Sequence, residues 1–182
     1  MALFLVRHGR PAIDRTRPAS EWELDPASFD EVWALRDRLP AGAAWYSSPE
    51  PKARQTAGLL TDGEVGVVDG LREHVRPAGW LDDFDAVVRR AFEEPSLPAY
   101  DGWEPLAACR DRVTAAAHGI LSAHEGDDVV LVGHGTAWTV LVAELTGSAP
   151  DLARWRALAM PDVIVVDAAP GLPAAERLRW WR

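Results

Sequence analysis

Apolar residues fall in short continuous runs separated by longer stretches of helical spacing. Leu3–Val6 is one such run, closed by Arg-His-Gly, and it predicts a buried strand. Ala43–Tyr46, Val65–Val68, Val129–Val132 and Val163–Val166 predict further strands, and Arg177–Trp181 a last edge strand. Phe29, Val32, Trp33, Leu35 and Leu39 share a helical stripe that Pro40 ends. Ser48 followed by Pro49 predicts a helix start, with Ser48 as its cap and the helix running to about Leu60. Pro105–His124 and Ala137–Thr146 predict two more helices, the second ended by Gly147. Residues 10–26, rich in Pro, Arg and Asp, and residues 69–101, with Gly, Pro, aromatics and acids, are expected to be irregular.

Strands that alternate with helices predict an α/β fold, a three-layer α/β/α sandwich with a mainly parallel central sheet. No repeat, low-complexity tract or linker breaks the chain, so residues 1–182 are expected to form a single domain. Composition agrees: 48% hydrophobic and 26% charged residues suit a packed domain rather than a disordered chain. The formal net charge of −9 argues against a broad nucleic-acid or anionic-membrane surface, though it leaves room for a basic pocket. Cys109 is the single cysteine, which excludes an intrachain disulfide and a cysteine zinc cluster and suits a reducing, cytoplasmic setting. The N-terminal apolar run is too short for a signal peptide or a membrane span.

Chemistry gathers at two strand ends. Arg7-His8-Gly9 and Gly133-His134-Gly135 each follow an apolar strand. Ligand sites in open α/β sheets lie beyond the carboxyl ends of the strands, so neighbouring strands would bring both histidines to one crevice. The glycines are expected to let a ligand approach the backbone, and the helix after Gly135 to offer free N–H groups to an anion. Two histidines and a carboxylate also suit a metal, but Arg7 would repel one and suits an anionic ligand.

The chain resembles the histidine phosphatase superfamily, the phosphoglycerate mutase-like proteins. The resemblance rests on Leu5-Val6-Arg7-His8-Gly9, Ser47-Ser48-Pro49 through Gln55-Thr56-Ala57, Leu71-Arg72-Glu73, Gly102-Trp103-Glu104 and Val132-Gly133-His134-Gly135, in family order. It implies a phosphohistidine intermediate, a pocket of two histidines and two arginines, and a carboxylic acid that moves the proton. On that resemblance His8 is the nucleophile, and Arg7 and His134 grip the transferring group. Glu73 is the acid, and Gly135 a backbone contact to phosphate. No metal or other cofactor is called for.

One motif departs from the family. Lys52-Ala53-Arg54-Gln55-Thr56-Ala57 puts Lys52 where the family carries arginine. Arg54 lies roughly 200° around the helix from Lys52 and cannot point the same way. Lys52 is therefore the expected phosphate ligand, with Arg10, Arg15 and Arg54 as alternatives. Glu104 is expected either to support a neighbouring side chain or to balance a helix dipole. His74, His118 and His124 are read as surface or structural, and Trp80, Trp103 and Trp138 as candidates to line the pocket. Asp82, Asp83, Asp85, Glu93 and Glu94 are placed over the mouth, where they would repel a bisphosphate. That favours hydrolysis of a small phosphomonoester over sugar-phosphate mutase activity; a non-catalytic binder of phosphorylated ligands is the third reading.

Overall fold

The computed structural model describes residues 1–77, 79–167 and 178–181. Six strands form one sheet: β1 (Ala2–Arg7), β2 (Ala44–Ser47), β3 (Val65–Val67), β4 (Val129–Gly133), β5 (Asp162–Asp167) and β6 (Leu178–Trp181), in the order β3-β2-β4-β1-β5-β6. The β3-β2, β2-β4 and β4-β1 pairs are parallel, while β5 runs against both β1 and β6. The mainly parallel α/β sheet is as expected. Arg177, the expected start of the edge strand, lies outside the described residues.

The helices are α1 (Phe29–Trp33), α2 (Pro51–Leu60), α3 (Phe84–Glu93), α4 (Leu106–Ala123), α5 (Gly135–Thr146) and α6 (Leu152–Ala157). Alternate strand residues feed two cores. Leu3, Leu5, Val129, Leu131 and Ile164 pack under α3, α4 and α5. Phe4, Val6, Val130, Val132 and Val165 pack under α1 and α2. A sheet covered on both faces requires continuous apolar strands, which is why β1 and β4 read as unbroken runs.

Three local expectations are corrected, and one further helix appears. The first helix stops at Trp33 and gives way to a tighter turn at Arg36–Arg38. Phe29 and Trp33 are exposed, so the segment buries too narrow a stripe to hold a long helix. The second helix starts at Pro51 with Glu50 as its cap position, not at Pro49 after Ser48, because Ser48 still belongs to the sheet through its N–H to the Val132 carbonyl, 2.9 Å. Residues 69–101 contain α3, whose Phe84, Val87, Val88, Ala91 and Phe92 fall at helical spacing amid turn residues. The short α6 is capped by Asp151, whose carboxylate accepts the Arg154 N–H.

Candidate active site

β1 and β4 are neighbours in register, with Arg7 opposite Gly133, and the His8 N–H donates to the Gly133 carbonyl at 2.9 Å. Both chains leave the sheet together, which brings the His8 and His134 rings to 5.2 Å between centroids, edge to face. Both histidines are buried. They open onto a cavity of about 680 Å³ that Arg7, Lys52, Glu73 and Arg76 also line.

The tautomer of His8 follows from its partner. Its Nδ1 lies 2.6 Å from the Gly9 carbonyl, which only accepts, so Nδ1 carries the hydrogen and Nε2 keeps its lone pair. Burial pushes the His8 pKa well below the usual histidine value, and His134, Lys52 and Arg7 push it the same way. His134 falls to about 3, chiefly through burial, with Lys52, Arg76 and Arg7 adding and Glu73 opposing. Its Nε2 lies 2.8 Å from Ser48 Oγ and 3.5 Å from Glu50 Oε1, while Nδ1 is buried with no hydrogen-bond partner among the described residues.

Arg7 Nη1 donates to the Leu158 carbonyl at 2.6 Å, which fixes the guanidinium and leaves buried Nε without a hydrogen-bond partner among the described residues. Glu73 sits at the start of α5, where its carboxylate accepts the Thr136 and Ala137 N–H groups at 3.2 and 3.0 Å. Burial alone would raise its pKa. The Arg76 guanidinium, His134 and the His74 and Thr136 N–H groups outweigh burial and hold the carboxyl well below the usual range.

Lys52 is buried at the cleft, whereas Arg10 pairs with Glu31, Arg15 stacks over Trp80 and Arg54 is exposed beside a separate cavity. Its ammonium reaches Glu50 Oε2 at 2.5 Å and the Ala19 carbonyl at 2.6 Å. Glu104 acts as a support: it pairs with Arg112, which in turn donates to the carbonyls of Gly70, Arg72 and Glu73 and so clamps the turn that carries Glu73.

Other expectations change. The Thr136 and Ala137 N–H groups are taken by Glu73, so these amides of α5 are not open to phosphate. Added Cβ atoms at Gly9 and Gly133 would lie 2.6 Å from Val32 and from Trp138, so these glycines make room for core packing rather than for a ligand. At Gly135 a Cβ would sit 3.2 Å from Arg7 Nε, so this glycine makes room for the guanidinium. Trp80 and Trp103 line the cavity, as do Trp22 and Trp155, but Trp138 is fully buried in the core. None of Asp82, Asp83, Asp85, Glu93 or Glu94 lines it; Asp85 pairs with Arg156, and Arg17, Arg72 and Arg76 lie along the lining instead. His74 is buried against Trp103 with its Nε2 on the Glu104 carbonyl, and it also lines the cavity. Ser48 reads in the sequence only as a helix cap, Glu50 lies inside the Ser47–Ala57 motif without being singled out, and Arg76 stands just beyond Leu71-Arg72-Glu73.

An α/β sandwich with two buried histidines at the carboxyl ends of adjacent central strands defines the class. The model of the histidine phosphatase superfamily (branch 1) matches residues 3–180, and the chain belongs to that family. Several solved structures share the fold. A mutant phosphoserine phosphatase from Entamoeba histolytica, in complex with phosphoserine, has a TM-score of 0.77 at 17% identity, covering 100% of this chain and 95% of that one. YhfR of Bacillus stearothermophilus gives 0.73 at 23%, covering 93% and 92%. A mycobacterial glucosyl-3-phosphoglycerate phosphatase gives 0.72 at 24%, covering 99% and 95%. No curated protein matches the sequence. Among the described residues no helix is long and apolar enough to cross a membrane, and no group of three or more His, Cys, Asp or Glu is arranged to hold a metal ion.

Proposed function

We propose that the protein hydrolyses small phosphomonoesters through a phosphohistidine on His8, without a metal. The observation that carries this reading is the His8 ring, buried, neutral and tautomerically fixed with its Nε2 lone pair free, beside His134 and a cationic cleft. Nε2 forms the P–N bond as the P–O bond breaks, and Glu73 delivers a proton to the departing oxygen. Arg7, Lys52 and His134 bear the charge on the phosphoryl oxygens. Water then attacks phosphorus, Glu73 takes its proton, and the P–N electron pair returns to Nε2 with release of inorganic phosphate.

Glu73 starts as a carboxylate in the free site, so it suits the second half-reaction directly. Its acid role needs a proton that arrives with the substrate. A phosphomonoester monoanion carries one, with a second pKa of about 6. Once the ester sits beside Glu73, its negative charge raises the carboxyl's pKa while the cations favour the phosphate dianion, so the proton passes from the phosphate oxygen to Glu73.

The acids expected to exclude a bisphosphate stand off the cavity, and Arg17, Arg72 and Arg76 line it. Mutase activity is therefore the second reading, tested by adding a sugar bisphosphate to a sugar monophosphate and looking for isomerised product. The main reading is tested by quenching turnover of an aryl phosphate in alkali, in the presence of chelator. The expected result is an acid-labile phosphoenzyme that His8→Ala abolishes. Phosphate trapped on serine, or full activity in the variant, removes His8 from its role.

A further inference from the structure

The cavity is far larger than a phosphoryl group fills, and its outer part is apolar. Ile13, Val75, Trp80 and Phe84 line it while remaining exposed, and Trp103 lies buried behind them. Trp80 is 45% exposed and contributes no core packing, yet the Arg15 guanidinium stacks 4.0 Å from its ring centroid and fixes it at the rim. The Phe84 and Trp103 rings lie 6.0 Å apart, and Arg76 sits over both, at 5.0 and 5.5 Å. Apolar side chains gathered at the lip of a cleft mark a place where an apolar partner is buried.

The position of this surface relative to the chemistry follows from Arg76. The same guanidinium that covers Phe84 and Trp103 lies 3.6 Å from Glu73 Oε2, and its buried Nη1 has no hydrogen-bond partner among the described residues. Glu73 is the group that meets the departing oxygen. The rings under Arg76 therefore stand beside the carboxyl that meets the departing oxygen, on the way out for the alcohol.

We propose that this chamber binds the organic half of the substrate, and that the substrates are phosphomonoesters of alcohols bearing an aromatic or extended apolar group, in preference to small polar phosphates. The inference rests on the phosphatase reading. Rings of this kind gain from apolar area and from stacking geometry together, which suffices for about tenfold in kcat/KM.

Comparing 2-phenylethyl phosphate with ethyl phosphate tests the inference, since both leaving groups are simple primary alkoxides and the chemical step is closely matched. The kcat/KM for the phenylethyl ester should exceed that for the ethyl ester by about tenfold or more. Trp80→Ala, at an exposed position, should narrow that ratio, and Phe84→Ala should narrow it too. Equal kcat/KM for the two esters, or a ratio unmoved by both variants, overturns the inference while a phosphoenzyme on His8 still forms. If neither ester is hydrolysed and no phosphoenzyme forms, the phosphatase reading fails and the inference goes with it.

Discussion

The Lys52 ammonium lies 2.5 Å from Glu50 Oε2, with both side chains buried, and 2.6 Å from the Ala19 carbonyl. An ammonium has three donors, so one remains for a ligand. Lys52 thus enters the site as half of an ion pair. Glu50 is also engaged through Oε1, which accepts the Glu73 N–H at 2.8 Å.

Removing one member of a buried pair strands the other charge. Lys52→Met should cost roughly 3–5 kcal/mol of stability, and pairing it with Glu50→Gln should recover much of that loss. Urea unfolding of the two single variants and the double measures the coupling. Simple additivity would dismiss the pair as a structural unit. The folded double variant should still turn over at least about tenfold more slowly, since a charge-assisted hydrogen bond to phosphate is gone. Arg54→Ala, on the exposed side of α2, should leave turnover unchanged; if it cripples the enzyme while the double variant is silent, Lys52 is not the phosphate cation.

The sequence made the sheet legible because β1, β4 and β5 are covered on both faces and therefore read as unbroken apolar runs. His8 and His134 were legible because each ends such a run. Glu50 and Arg76 were not. Glu50 faces Lys52 and the Glu73 turn only because α2 begins at Pro51, and no periodicity distinguishes Pro51 from Pro49. Arg76 is defined by its rings, and α3, which supplies Phe84, was hidden among turn residues. The glycines looked like ligand contacts, yet Gly9 and Gly133 answer to Val32 and Trp138, side chains brought in by folding. A glycine's neighbours are a tertiary fact.

Arg76 sets the working range of Glu73. Burial raises the Glu73 pKa, and Arg76 leads the opposing charges that hold it down. Arg76→Met, which keeps an apolar body against Phe84 and Trp103, should raise it. The limbs of the pH–kcat profile governed by Glu73 should then move to higher pH, whether it acts as acid or base. Arg76→Lys should restore part of the difference. A fall in kcat with both limbs unmoved would show that Arg76 does not tune this carboxyl.

The last prediction concerns acid stability. An unfolded histidine takes up its proton at about pH 6.5, whereas His134 in the folded protein does so only at about 3. Between those values the unfolded chain binds a proton that the folded chain refuses. Stability therefore rises with pH across the window and is lost on acidification below about 6.5. His8 adds to the effect in the same direction, its pKa lying well below the ordinary value. One such histidine contributes a slope approaching about 1.4 kcal/mol per pH unit. Glu73 also acts in this direction, but its part begins only below the ordinary glutamate value of about 4.3. The range from pH 7 to 5 thus isolates the histidines. Urea midpoints should fall through that range, and His134→Gln should flatten the fall, because an amide does not titrate. An equally steep fall in the variant would mean that His134 is not the group held neutral in the fold.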